Sequence, residues 1–222
     1  MMMWRFPTLL TMLVVAFVSQ AAAQQAAPKA NSVKILAFGT SLTQGYGLPP
    51  GTEFPVQLQA ALRTSGINAT VTNAGVSGDT SADGLSRLDW ALADKPDAII
   101  IEHGSNDMLR GLPPEMTEKN LRAMLTKLKA AKVPVLLTGM GAQRNLGPEY
   151  VKKFDSIYPR LAKEYGVLFY PFILEGVAMK RELNQNDGMH PNPAGVKVIV
   201  NRILPLVKQL VTQVPTSKAK KA

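Results

Sequence analysis

Cysteine is absent from the 222 residues, and histidine occurs only twice, at His103 and His190. The first absence removes disulfides, thiol nucleophiles and thiolate metal sites. The second leaves two candidates for any chemistry that needs an imidazole base. Acidic residues are also scarce, 16 against 25 basic, for a net charge of +9. That excess is not a nucleic-acid footprint. Arg5, Lys29, Lys218, Lys220 and Lys221 lie near the two ends, about +4 remains on the interior, and no basic stripe carries interleaved aromatics.

Long apolar runs are missing too. The longest, residues 9–18, falls short of the roughly 18 to 20 residues needed to span a bilayer. Arg5 is the only charge before it and Ala21-Ala22-Ala23 follow it, so residues 1–23 read as a signal peptide cleaved near Ala23/Gln24. No cysteine follows the cleavage site, which excludes a lipoprotein anchor. Residues 24–32 read as a small polar linker, 33–214 as one domain and 215–222 as a basic tail. The expectation is an exported protein with no stable membrane anchor after cleavage, monomeric, held together by its core alone.

Within the domain, short apolar runs alternate with amphipathic stretches. Residues 33–38, 69–72, 98–102, 133–138 and 167–170 predict five strands, all buried on both faces. Apolar residues at three- and four-residue steps predict helices through Phe54, Leu58 and Leu62, through Leu85, Leu88 and Leu92, through Leu121, Leu125 and Leu128, and through Phe154, Ile157 and Leu161. A last helix starts with Asn192 as N-cap and Pro193 at its first position, and Pro205 should kink it. This alternation predicts an α/β fold, a parallel sheet between helices, with chemistry just outside the carboxyl ends of the strands.

Four segments fall in those places. After the first strand, Gly39-Thr40-Ser41-Leu42 allows a tight turn that presents a serine with its own N–H free. After the second, Gly78 in Ser77-Gly78-Asp79-Thr80 lets a bare backbone N–H approach a ligand oxygen. After the third, Asn106 in Gly104-Ser105-Asn106-Asp107 offers an uncharged amide donor suited to an oxyanion. Before the last helix, the turn Asp187-Gly188-Met189-His190 can bring a carboxylate to an imidazole and fix its tautomer. His190 is therefore the preferred base over His103, because Glu102 and His103 are strand neighbours that point to opposite faces. A metal reading of Asp187 with His190 lacks further ligands, and no metal or organic cofactor is called for.

Taken together, GTSL at 39–42, SGDTS at 77–81, GSND at 104–107 and DGMHPN at 187–192 resemble the SGNH (GDSL-type) hydrolase superfamily, whose signature Ser, Gly, Asn and His would be Ser41, Gly78, Asn106 and His190. The stretches 106–111 and 157–164 are similar to its periplasmic thioesterase, arylesterase and lysophospholipase branch.

The resemblance implies a three-layer, flavodoxin-like, five-stranded parallel sheet and a periplasmic or secreted serine esterase. It implies a triad of Ser41, His190 and Asp187 and an oxyanion hole of Ser41, Gly78 and Asn106. Esters and thioesters would be the small-molecule substrates. Independently of the resemblance, the Gly- and Pro-rich stretches 108–113 and 144–148 after the third and fourth strands offer Leu109, Leu112 and Leu146 as apolar lining for an acyl chain. A carbohydrate acetylesterase, or a non-catalytic envelope binding protein using the basic tail, are the alternatives. One departure stands out: the family usually has Asp before the serine, and this chain has Thr40.

Overall fold

The computed structural model describes residues 32–215, so the predicted signal peptide, nearly all of the linker and nearly all of the basic tail lie outside the described residues. Five strands, β1 (Val33–Gly39), β2 (Ala69–Gly75), β3 (Ala98–Glu102), β4 (Val135–Thr138) and β5 (Leu168–Tyr170), form one sheet in the order β2-β1-β3-β4-β5. All four pairings are parallel. The helices are α1 (Ser41–Gln44), α2 (Phe54–Thr64), α3 (Ser81–Ala91), α4 (Ser105–Leu109), α5 (Pro114–Ala130), α6 (Pro148–Tyr165) and α7 (Pro193–Thr212). α2 packs with α7, while α3 packs with α5 and α5 with α6. These are the two helical layers that right-handed crossovers place on opposite faces of a doubly wound sheet.

Burial follows from position in the sheet. In β3, covered on both faces, Ala98, Ile99, Ile100, Ile101 and Glu102 are all buried, and the run is apolar up to its last residue because neither face meets water. The expectation of double-sided burial fails at the sheet's edge. In β2, Ala69 and Val71 are buried, while Thr70, Thr72 and Asn73 are exposed. An edge strand lacks full helical cover on its outer side, so polar residues alternate in. β5, at the other edge, buries only Tyr170 fully.

The helix ends are built as the side chains allow. Thr80 and Asp83 form a reciprocal capping box at the start of α3. At α7, Asn192 Oδ1 accepts the N–H groups of Ala194 and Gly195, both at 3.0 Å, and Pro193 occupies the first turn. α7 continues as one helix through Pro205, with Ile199, Ile203, Val207 and Leu210 buried on either side of it. Those contacts hold both halves on the core despite the hydrogen bond that a helical proline forfeits. Among the described residues, no helix is long and apolar enough to cross a membrane.

The strand register positions the site. Gly39 pairs with Gly75 on one side and with Glu102 on the other, so β1, β2 and β3 end level with one another. The chain leaves β1 toward one edge and β3 toward the other, which makes their carboxyl ends the switch point of the sheet, where ligands bind in open α/β folds.

Candidate active site

Ser41 begins α1 directly beyond the end of β1. Gly39 is required just before it. A Cβ there would sit 2.1 Å from Thr43 Oγ1 and 2.6 Å from Glu102 Oε2. Its counterpart Gly75 lets α1 approach β2, since a Cβ would lie 2.2 Å from the Gln44 nitrogen.

His190 comes from the loop before α7, and its Nε2 lies 3.0 Å from Ser41 Oγ. Its Nδ1 lies 2.7 Å from Asp187 Oδ2. Asp187 Oδ1 accepts the backbone N–H groups of Met189 at 2.9 Å and His190 at 3.0 Å. These donors, led by the His190 N–H, hold the Asp187 carboxyl down to about 2, so it is ionised at any physiological pH. An imidazole held between a hydroxyl and a fixed carboxylate can take the hydroxyl proton and have its resulting charge balanced. Tyr46 packs its ring on His190 with centroids 4.8 Å apart, and Gln185 ties the Tyr46 and Pro191 carbonyls together at 2.7 and 3.0 Å.

Gly78 and Asn106 reach the same cavity as Ser41 and His190. Gly78 has φ +85°, a conformation that favours glycine, and Arg110 donates to its carbonyl at 2.8 Å. Asn106 Nδ2 donates one hydrogen to the Asp79 carbonyl at 2.8 Å. An amide nitrogen carries two, so the orienting bond leaves a donor for a ligand. Asp107, next in sequence and buried, accepts from the Ser81 N–H at 2.7 Å, from the Ser81 hydroxyl and from Thr117 Oγ1 at 3.1 Å. It thereby ties α3, α4 and α5 together beneath the site.

The cavity has a volume of about 400 Å³ and is walled on its apolar side by Met108, Leu109, Met140, Phe172 and Leu174. Of the three leucines expected to line it, only Leu109 does. The Leu112 carbonyl accepts the Tyr150 hydroxyl at 2.8 Å, and Leu146, in a 3₁₀ turn, packs against the hydrophobic core. The walls come instead from loops after β4 and β5 that have no periodic pattern to read. Among the described residues, no group of three or more His, Cys, Asp or Glu is placed to hold a metal ion.

The glutamate before His103 has a role that its sequence position did not suggest. Glu102 is buried at the end of β3 and accepts from the Thr40 N–H at 2.8 Å and from Thr43 Oγ1 at 2.9 Å, on either side of Ser41. His103 itself points to the other face, 5.0 Å from the Phe38 ring, with neither ring nitrogen hydrogen-bonded among the described residues. Arg87 also emerges only in the fold. It donates to Asp79 at 2.6 Å and to the carbonyls of Ala74 and Gly39, both at 2.9 Å, with its guanidinium 4.2 Å over Phe38. An arginine on a helix 48 residues from Gly39 carries no local signal of that contact.

This arrangement, on this α/β sheet, defines a hydrolase of the SGNH type, and the chain belongs to the GDSL-like Lipase/Acylhydrolase family, whose model matches residues 37–198. It is a carboxylic ester hydrolase. It is 39% identical over 181 residues to an arylesterase of Vibrio mimicus, covering 81% of this chain and 88% of that one. It is 40% identical over 159 residues to thioesterase 1/protease 1/lysophospholipase L1 of Escherichia coli (strain K12), covering 71% and 75%. Among solved structures, AlinE4, an SGNH-hydrolase family esterase, is 47% identical and superposes with a TM-score of 0.69 over 81% of this chain and 96% of that one.

Proposed function

We propose that the enzyme hydrolyses acyl esters and thioesters through an acyl-enzyme on Ser41. The observation that carries this reading is the continuous relay from Ser41 Oγ to His190 Nε2 at 3.0 Å and from His190 Nδ1 to Asp187 at 2.7 Å. As Ser41 Oγ attacks the carbonyl carbon, its proton passes to His190, and ionised Asp187 balances the imidazolium. The tetrahedral oxyanion is met by the N–H of Ser41, the N–H of Gly78 and the Asn106 amide, groups aimed where charge develops. His190 then returns the proton to the leaving alcohol or thiol. A water activated by the same nitrogen cleaves the acyl-enzyme, and the carboxylic acid leaves.

The apolar wall of Met108, Leu109, Met140, Phe172 and Leu174 favours an acyl chain over the polar surface of a sugar, and so favours aryl esters, acyl thioesters and lysophospholipids over acetylated carbohydrates. A chain-length series of p-nitrophenyl esters and acyl thioesters separates the two, since preference for acetyl over octanoyl would select the acetylesterase. Ser41→Ala is expected to keep the fold and abolish turnover, and a fluorophosphonate probe to label only the unsubstituted protein. Unchanged hydrolysis by Ser41→Ala removes the reading, and a wild-type protein that is neither labelled nor active makes it a binding protein.

The hydrolase domain spans residues 33–214, with residues 1–23 directing export to the periplasm or medium and residues 24–32 as linker. The N-terminal mass of the exported protein tests this, with Gln24 as the expected first residue.

A further inference from the structure

We propose that Glu102 is a positioning residue for the reaction, clasping the turn that presents Ser41; the proposal rests on Ser41 being the nucleophile. Its carboxylate takes the Thr40 N–H at 2.8 Å on Oε2, the Thr40 hydroxyl at 3.0 and 3.1 Å on its two oxygens, and the Thr43 hydroxyl at 2.9 Å on Oε2. The donors belong to the residue before Ser41 and the second residue after it. One side chain, reaching across from the neighbouring strand, therefore fixes both flanks of the nucleophile. The fit is close enough to exclude any Cβ at Gly39, and Glu102 also borders a cavity of about 10 Å³ beneath the turn.

A buried carboxyl is an expensive way to hold a turn, because its ionised form gives up hydration that hydrogen bonds only partly replace. Among the described residues, no basic side chain pairs with it to offset that cost. Toward α2 and α7, Glu102 shares the lining of that small cavity with the apolar Phe54, Val196 and Ile199. From α6 comes Tyr158, whose hydroxyl donates to the His103 carbonyl at 3.0 Å. From α3 comes Arg87, bound to Asp79 and to the Gly39 carbonyl, and from α4 comes Ser105, its hydroxyl 3.5 Å from Thr40 Oγ1. His103 lies on the other face. Among the described residues, no cation forms an ion pair with Glu102.

Burial accordingly pushes the Glu102 carboxyl up to about 7, against the pull of the threonine donors. Ionised, it accepts every donor around it. Protonated, it must donate, and one of the threonine hydroxyls has to reverse, since the Thr40 N–H cannot. The turn is therefore held most tightly above neutrality. The distance at stake is the 3.0 Å between Ser41 Oγ and His190 Nε2.

The test is steady-state p-nitrophenyl ester hydrolysis by the exported protein and its variants from pH 5 to 9. E102Q keeps size and loses the titration. It is expected to lower kcat about 10- to 100-fold with KM within about twofold, the signature of a misaligned nucleophile. The acid side of the kcat profile should also simplify. In the wild type it includes the proton taken up by Glu102, and in E102Q that proton is absent. Thr43→Val, which deletes one of the bonds, should lose about 3- to 10-fold in kcat on the same argument. E102Q with wild-type kcat and an unchanged acid limb overturns the proposal. If E102Q does not fold, as read by its thermal transition, Thr43→Val decides, and wild-type kcat there overturns it. Ser41→Ala separates the layers: residual activity in that variant removes the nucleophile reading, whereas an inactive Ser41→Ala beside a wild-type-like E102Q removes only the role given to Glu102.

Discussion

Replacing His103 by leucine is expected to change how stability depends on pH, and the structure sets both sign and size. His103 is 1% exposed, and among the described residues neither ring nitrogen has a hydrogen-bond partner. Burial, reinforced by the nearby Arg87 guanidinium, depresses it from the usual 6.5 to about 3. Between those values the unfolded chain carries a proton that the folded protein refuses, so stability falls as pH falls through this window, by about 1.4 kcal/mol per pH unit. From pH 7 to pH 5 the loss from His103 is about 2 kcal/mol.

Its neighbour Glu102 acts in the opposite sense. Raised from 4.5 to about 7, it binds a proton in the folded protein that the unfolded chain has released, so between those values it stabilises the fold as pH falls. From pH 7 to pH 5 that gain is also about 2 kcal/mol. Two consecutive residues on one strand, facing opposite helical layers, thus cancel in the wild type, whose stability should be nearly level across this range as far as they determine it. Urea or thermal unfolding of wild type, His103→Leu and E102Q at the two pH values checks this. Relative to wild type, the leucine variant should gain about 2 kcal/mol on going to pH 5, or about 4 to 8 °C in Tm for a domain of this size, and E102Q should lose as much. Any packing cost of the substitution is present at both pH values and drops out of the difference. Parallel pH dependence in wild type and His103→Leu would refute the reasoning, as would an NMR titration of the His103 ring between pH 8 and 4.

Asn106→Ala should lower kcat by about 100- to 1,000-fold with little change in KM, since it removes a donor that matters when the oxyanion forms; steady-state kinetics with an unchanged circular dichroism spectrum isolate that effect. Asp187→Asn keeps the shape of the loop and removes the charge that fixes the imidazole tautomer. A fall of about 10⁴ in kcat is expected, by analogy with the aspartate of other serine hydrolase triads, and near-normal turnover would place the orienting charge elsewhere.

What could be read from the sequence was whatever rests on local spacing. The strand cores were legible because buried β-branched and aliphatic runs have no other stable home. Asn192 and Pro193 announced α7 through a cap that involves only adjacent residues, and Asp187 could be matched to His190 because their bond spans a single turn. Illegible features depend on register or on irregular backbone. The bond from Thr40 to Glu102 joins residues 62 apart and exists only because Gly39 pairs with Glu102 across β1 and β3. Leu112 and Leu146 occur in the right loops, yet which side chains of an irregular loop reach the cavity follows no pattern, and Leu146 packs against the core instead. The partial exposure of β2 was missed because strand order, which makes it an edge, is a property of the whole sheet.

The same distinction explains why each signature segment is accompanied by a strut from a residue outside that segment. Ser41 is flanked by the bonds of Thr40 and Thr43 to Glu102, and Arg110 holds the Gly78 carbonyl. Asp107 anchors the start of α3, while Gln185 ties the loop of His190 to Tyr46. Loops at strand ends have few apolar contacts to fix them, so relative position has to come from directed bonds between neighbouring loops. Substitution at Thr40 would disturb one such bond directly. An aspartate there would replace the hydroxyl donor, now 3.0 and 3.1 Å from the two Glu102 oxygens, by a second carboxylate close to Glu102. Repulsion between the two would favour a proton shared between them. With threonine, the donor is supplied without a proton to lose, so the state of the turn depends on the titration of Glu102 alone.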